Sequence, residues 1–139
     1  MRTTKEITVS LSATDIVEPK NLIRQNFVKQ DIGRNKAAVL AERYSGAFGT
    51  ECEYIPEYIE SEERLKGLVR PDFIKQPYNS IPETQRVILI GCVDNNKSRA
   101  ICHNVFYNTD NLVYIDSGNG EYTGQVVCGV RQNGRTTFK

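Results

Sequence analysis

The sequence has a single histidine, and its four cysteines are scattered, so common zinc ligands are scarce. Cys52, Cys92, Cys102 and Cys128 form no Cys-x-x-Cys pair. The usual zinc sites need closely spaced cysteine or histidine pairs, which the chain does not offer around His103. A G-x-S-x-G motif is also absent, which argues against a serine hydrolase of that type. We predict reduced, mostly buried thiols in a cytoplasmic protein.

The chain also lacks an excess of charge of one sign, and it lacks long apolar runs. Eighteen basic and 17 acidic residues give a formal net charge of +1. Because nucleic-acid backbones are bound by clustered positive charge, this balance predicts no nucleic-acid partner. No run reaches the ~18 apolar residues that a membrane-spanning helix needs. The stretch Met1–Ser12 has no uncharged apolar segment typical of a secretion signal, so we expect neither membrane insertion nor secretion.

The length of 139 residues predicts one domain, because two typical domains would need a longer chain. A chain of this size can bury roughly two-thirds of its unfolded surface without disulfides or metals. Residues 70–86 contain Pro71, Pro77 and Pro82. This proline-rich composition predicts a mobile loop within the domain.

Hydrophobic spacing predicts strands and helices in alternation. Ile7–Leu11 alternates apolar and polar residues, as a half-buried strand does. Ala37–Tyr44 has helical spacing, with Gly46 as a plausible stop. Val87–Val93 is almost wholly apolar, which is typical of a strand buried on both faces in a parallel sheet. We therefore expect Cys92 to be a buried core residue.

Local signals mark the remaining elements. Cys52–Ile59 is a candidate strand, Ser61 can cap a short helix, and Asp94 with Asn95 can cap another. An apolar strand over residues 112–116 follows, and the sequence then ends in a hairpin whose two-residue turn is Asn-Gly at 133–134. Strands alternating with helices predict an α/β fold with parallel crossovers and a C-terminal antiparallel hairpin.

Candidate site residues follow two of these predicted strands. Ligands of α/β sheets bind beyond the carboxyl ends of the strands. Arg24 and Lys36 have the charge that phosphate oxygens attract, and Asp94 is the kind of carboxylate that binds Mg²⁺ together with phosphates. On spacing alone, solvated cations and a helix-capping aspartate are the favoured interpretation.

The order of these motifs points to one family. Residues 15–36 and 94–99 resemble the adenylation domain shared by the ThiF, MoeB and HesA proteins and the ubiquitin-activating enzymes. The matching residues are Asp15, Val17, Asn21, Leu22, Arg24, Gln25, Gly33, Lys36, Asp94, Asn95 and Arg99. The resemblance runs from about Ile7 to Gly129. Residues 115–127 are most similar to ThiF-family proteins of plasmid-borne PRTRC systems.

This resemblance implies a Rossmann-like, mostly parallel sheet and an ATP-dependent adenylyltransferase activity. Members of the family bind Mg-ATP and join its α-phosphate to the C-terminal carboxylate of a ubiquitin-like or sulfur-carrier protein. The implied cofactors are therefore ATP and Mg²⁺, and the implied partner is such a carrier protein.

The resemblance also implies site residues. The implied nucleotide-binding positions are Asn21, Arg24, Gln25, Lys36, Asp94 and Asn95. Among these, Arg24 and Lys36 would hold the phosphates and stabilise charge during transfer, and Asp94 would bind Mg²⁺ as the third catalytic residue. Asn21 would help to orient the phosphates, and Arg99 is expected to be structural.

The sequence departs from the family pattern at two places. Ala13 stands where the family has an aspartate that binds ribose hydroxyls. The family's first strand and glycine-rich phosphate turn would precede Ile7, where only six residues stand. We expect an N-terminally truncated adenylation domain, either excised from a longer protein or encoded by a shortened gene, that does not turn over alone. The alternatives are a non-catalytic protein-binding module derived from the same fold, and a relative that adenylates a small acid or a tRNA base.

A sheet shortened in this way predicts self-association. The strand at Ile7–Leu11 would lack its usual neighbour, and an open strand edge can pair with another chain. We expect a homodimer or a higher oligomer, with strand exchange as one route. Light scattering from dilute protein should then give at least twice the mass of one chain, and a clean monomer would contradict the prediction.

Overall fold

The computed structural model describes residues 8–12, 14–70, 86–120 and 122–138. The chain divides into two compact units, Met1–Tyr58 and Ile59–Lys139. The predicted mobile loop at 70–86 lies outside the described residues except for its two ends. Within the described ranges, every helix is too short or too polar to span a lipid bilayer.

The first unit is a β-α-β arrangement. Strand β1, Thr8–Ser12, pairs in parallel with strand β2, Glu51–Ile55. Helix α1, Lys36–Phe48, connects them. Between β1 and α1 the chain makes two short 3-10 turns, Pro19–Ile23 and Lys29–Asp31. The predicted strand at residues 7–11 is thus found one position further along.

Two predicted element ends in this unit are wrong. The predicted stop at Gly46 lies inside α1, and the helix ends at Gly49, whose φ of 61° is in the left-handed region that favours glycine. The predicted strand Cys52–Ile59 is shorter, because β2 ends directly before Pro56. Proline has no N–H to continue a strand ladder.

The core of the first unit is small. Val17, Phe27 and Val39 are buried together, and Leu22 and Leu40 pack against them. The loop that follows β1 therefore supplies part of the core and packs on α1. This packing fixes the loop that precedes the helix.

The second unit contains two helices and a four-stranded sheet. In chain order its elements are α2 (Glu62–Leu68), β3 (Ile88–Gly91), α3 (Asn96–Tyr107), β4 (Leu112–Asn119), β5 (Gly124–Gln132) and β6 (Arg135–Phe138). The strand order is β3-β4-β5-β6, with β3 parallel to β4 and the other pairs antiparallel. The chain is thus an α/β protein with a C-terminal antiparallel hairpin, as predicted, and its described strands form two separate sheets.

Several local predictions are confirmed. The hairpin turn has positive φ at Asn133 and Gly134, 49° and 75°, which an Asn-Gly turn of this type requires. Ser61 caps α2 by accepting a hydrogen bond of 3.2 Å from the backbone N–H three residues later. Asn95 caps α3 in the same way at 2.8 Å.

The prediction for Val87–Val93 is wrong in its burial. Strand β3 is shorter and lies at the edge of its sheet. Ile88 and Ile90 are 53% and 62% exposed, and Cys92 follows the strand and is exposed as well. An apolar run shows that a segment can form a buried strand, but it does not show how many neighbours cover that strand.

Helix α3 packs against one face of the four-stranded sheet. The buried cluster consists of Leu65, Val69, Cys102, Val105, Phe106, Leu112 and Tyr114. The ring of Phe106 lies over Gly129 of β5, where an added Cβ would be 2.7 Å from Phe106 Cζ. Only a residue without a side chain allows this approach.

Replacing Gly129 should therefore destabilise the second unit. We expect Gly129→Ala to lower the free energy of unfolding by about 1–3 kcal/mol, because the added methyl group overpacks a core ring. Gly67→Ala is the matched control, since an added Cβ at Gly67 in α2 meets no atom within 4 Å. The control should be neutral or stabilising by up to ~1 kcal/mol. Urea unfolding of both variants measures the difference, and equal stabilities would contradict the packing.

Candidate functional site

An open cleft of about 520 Å³ lies in the first unit, beside the start of α1. Its lining residues are Thr14, Asp15, Ile16, Glu18, Lys20, Lys36 and Tyr58. Two lysines and two carboxylates balance its formal charge. Lys36 is the predicted phosphate-binding residue that the structure places in this cleft.

Backbone hydrogen bonds bring the loop after β1 to the start of α1. The Val17 N–H donates to the Arg34 carbonyl at 2.8 Å, and the Gly33 N–H donates to the Val17 carbonyl at 2.9 Å. The Lys36 N–H donates to the Asp15 carbonyl at 2.8 Å. Gly33 has a φ of 85°, a conformation that favours glycine, which explains why this residue type precedes Lys36 by three positions.

The Lys36 ammonium is incompletely satisfied. Its side chain is only 20% exposed, yet Nζ lies 3.7 Å from Asp15 Oδ2, beyond hydrogen-bond distance. Within the part of the chain that the structure describes, Nζ makes no hydrogen bond. Lys36 is also the first residue of α1, where the helix dipole disfavours a cation and attracts an anion. Both features favour an anionic ligand beside Lys36.

Asp15 has a second neighbour in the cleft. The Tyr58 hydroxyl donates a hydrogen bond of 3.0 Å to Asp15 Oδ1. Among the other lining residues, Lys20 Nζ and Glu18 Oε2 form an ion pair at 2.6 Å. Sequence spacing gave no signal for Tyr58, Glu18 or Lys20 at this cleft, because the contact between residues 15 and 58 joins distant parts of the chain.

The other predicted residues of this unit lie apart from the cleft lining. Asn21 is buried, and its Oδ1 accepts a hydrogen bond of 2.8 Å from the Glu18 N–H, so it shapes the first 3-10 turn. Arg24 and Gln25 follow that turn and are exposed. Among the described residues, the Arg24 side chain has no ion-pair partner. The structure thus brings Lys36 into the cleft and leaves Arg24 on the surface.

Asp94 and Asn95 lie in the second unit, directly before α3. Asp94 is exposed, and Asn95 is used as the helix cap. Arg99 is a structural residue, since its Nε donates to Asp116 Oδ2 at 2.8 Å and its guanidinium donates to the Val93 carbonyl at 3.0 Å. These contacts tie α3 to the middle of β4 and to the segment that follows β3.

A buried polar cluster lies beneath this part of α3. Asp116 Oδ1 and the Tyr114 hydroxyl make no hydrogen bond with any described residue. Burial raises the pKa of the Tyr114 phenol and of the Cys102 thiol, so both groups stay protonated near neutral pH. Cys102 is therefore a poor nucleophile.

Metal-binding chemistry is sparse in the described ranges, which contain no group of three or more histidine, cysteine, aspartate or glutamate side chains arranged around one point. The described residues therefore contain no site in which three or more of these side chains alone could hold a metal ion. It leaves room for Mg²⁺ bound by one carboxylate together with phosphate oxygens, the usual arrangement in nucleotide sites.

Asp31 stabilises the turn that leads to Lys36. It is buried, accepts a hydrogen bond of 2.8 Å from the Val28 N–H, and pairs with Arg43 at 2.6 Å. The Val28 hydrogen bond first, and Arg43 second, lower the pKa of Asp31 below its ordinary value. The ionised carboxylate therefore stabilises the fold.

No protein-family model matches this chain, and no curated protein matches it in sequence. The case for a function therefore depends on the cleft and on the motifs in the sequence.

Replacing Asp31 should have a pH-dependent effect. Because the pKa of Asp31 is lower in the folded state, its stabilisation is present above its ordinary pKa and is lost as the pH falls through the folded value. We expect Asp31→Asn to destabilise the protein at pH 7, with the difference vanishing in acid. Urea unfolding at several pH values measures this. Glu42→Gln, which breaks only the exposed Arg34 pair, is the control, and a loss for Asp31→Asn that does not change with pH would contradict the assignment.

Proposed function

We propose that this chain is a ThiF-like, Rossmann-like adenylation domain whose cleft at Lys36 binds the phosphates of ATP. The observation that carries the proposal is the Lys36 ammonium, held on a mostly buried stem without a hydrogen bond among the described residues. The cleft lies beyond the carboxyl end of β1 and at the start of α1, where α/β proteins bind their ligands.

Two β-α-β arrangements support the Rossmann-like part of the proposal. Strands β1 and β2 are parallel and joined through α1, and strands β3 and β4 are parallel and joined through α3. Parallel pairs with helical crossovers are the building blocks of doubly wound sheets.

The proposed reaction activates a carboxylate. The C-terminal carboxylate of a ubiquitin-like or sulfur-carrier protein attacks the α-phosphorus of ATP, a new acyl-phosphate bond forms, and pyrophosphate leaves with the electrons of the broken phosphoanhydride bond. Lys36 would stabilise the charge on the phosphate oxygens, whereas Arg24, outside the cleft lining, keeps only the role that the resemblance implies. The resemblance, rather than the cleft, assigns Mg²⁺ to Asp94, an exposed carboxylate of the second unit.

Self-association is part of the proposal. Within the described residues, β1 and β2 form a sheet of two strands. A two-stranded pair is marginal by itself, and a strand edge that no described strand covers can pair with another chain. A second copy of the chain would extend this sheet by pairing a strand with β1 or β2.

The alternative function is a non-catalytic protein-binding module. One observation favours it, namely the exposed apolar side chains of Ile88, Ile90 and Val126, which are 53%, 62% and 70% exposed. The strand register places all three on one face of the four-stranded sheet. An apolar face of this kind is typical of surfaces that bind other proteins.

Calorimetric titration with Mg-ATP separates the two functions. We expect saturable binding by the wild-type chain and a loss of affinity of about tenfold or more in Lys36→Ala and in Asp94→Ala, since each removes a charged phosphate or metal contact. Lys29→Ala is the control, because it removes an exposed lysine of the first unit that does not line the cleft, and it should bind as the wild type does.

Two results would contradict adenylation. One is no saturable binding at millimolar Mg-ATP, which would favour the binding module. The other is binding that both variants retain in full. Where binding is found, carrier-dependent exchange of pyrophosphate into ATP tests the reaction itself.

A further inference from the structure

Lys36, Asp15 and Tyr58 form a connected row of polar groups in the cleft. The Tyr58 hydroxyl contacts one oxygen of Asp15 at 3.0 Å, and Lys36 Nζ faces the other oxygen at 3.7 Å. The two charged side chains differ in solvent exposure, since that of Lys36 is 20% exposed and that of Asp15 is 60% exposed. The ammonium is therefore the more enclosed group, and the carboxylate, which Tyr58 holds by one oxygen, is the more accessible to solvent.

We infer that Asp15 is an internal counter-ion for Lys36, that a phosphate-type oxyanion displaces it, and that Tyr58 limits how closely Asp15 approaches Lys36. The inference rests on the proposed function in one respect, namely that Lys36 is the cation that binds phosphate. It adds the two residues that set the affinity of that site.

The two ion pairs of the cleft support this assignment by their contrast. Lys20 and Glu18 are in direct contact at 2.6 Å, so this lysine already donates to a carboxylate. Lys36 and Asp15 are about one ångström further apart, at 3.7 Å. An oxyanion that accepts a direct hydrogen bond from an ammonium at about 2.8 Å forms a stronger contact than an exposed, separated pair does.

Tyr58 accounts for the separation. Its hydroxyl holds Asp15 Oδ1, so the carboxylate cannot turn freely toward Lys36. Without this hydrogen bond, Asp15 is free to close on Lys36 and to compete better with an incoming oxyanion. Tyr58 is thus a positioning residue that acts through Asp15.

Titration with inorganic pyrophosphate, without Mg²⁺, tests the inference by calorimetry. We expect Asp15→Asn to tighten binding about threefold to tenfold, because it removes both a competitor and a repulsive charge. Glu53→Gln is its control, since it removes one exposed negative charge from β2 of the same unit. Lys36→Gln should abolish binding, also in combination with Asp15→Asn.

The role of Tyr58 is tested by a double-mutant cycle. Tyr58→Phe should weaken pyrophosphate binding about twofold to fivefold. The same change made on top of Asp15→Asn should have no effect, because the carboxylate through which it acts is gone. Tyr54→Phe, at an exposed tyrosine of β2, is the control and should bind as the wild type does.

The inference is overturned if Asp15→Asn binds pyrophosphate no more tightly than Glu53→Gln, or if no variant binds it. A Tyr58→Phe effect that persists in the Asp15→Asn background would overturn the role of Tyr58. Circular dichroism and urea unfolding establish that each variant is folded. Since these titrations contain neither ATP nor Mg²⁺, tighter binding by Asp15→Asn supports the counter-ion even where the wild-type chain fails to bind Mg-ATP.

Discussion

The first unit depends on the short backbone ladder between the segment after β1 and the segment before α1. Val17 exchanges hydrogen bonds with residues 33 and 34, and its side chain is 1% exposed in the core. Val17 therefore joins the loop after β1 to the segment before α1 through its backbone, and its side chain anchors both segments in the core. Without this ladder, Asp15 and Lys36 would lie on independent segments.

The ladder also decides the charge pattern of the cleft. It fixes the Lys36 backbone beside the Asp15 carbonyl, so a carboxylate and an ammonium from distant parts of the sequence are held close together. Their side chains then stop short of direct contact, while Tyr58 occupies the other side of the carboxylate. Together, Asp15 and Lys36 carry no net formal charge.

The second unit has a different organising contact. Arg99 reaches from α3 to Asp116 and to the Val93 carbonyl, and it fixes the turn that carries Asp94 and Asn95. The buried carboxylate needs this guanidinium, because an unpaired charge in a core is costly. The motif that resembles a nucleotide site therefore contains one residue with a structural contact, Arg99, and one that caps a helix, Asn95.

The sequence alone determined the features that depend on neighbouring residues. The Asn133-Gly134 turn, the caps at Ser61 and Asn95, and the α/β order follow from interactions that span at most a few positions. It also singled out Lys36, which lies in the cleft. The motif could not reveal that Arg24 lies outside the cleft lining, because that depends on how the 3-10 turn at Pro19–Ile23 packs.

Only the tertiary structure decided the rest. The exposure of Ile88 and Ile90 depends on what covers their face of the four-stranded sheet, which apolar composition does not encode. The contact between Asp15 and Tyr58 joins residues 43 positions apart, and it exists because β2 returns in parallel beside β1. Local spacing determines caps and turns because they are formed within a few residues. The affinity of a charged site depends on which groups the fold brings within a few ångströms, and that is set by the packing of the whole unit.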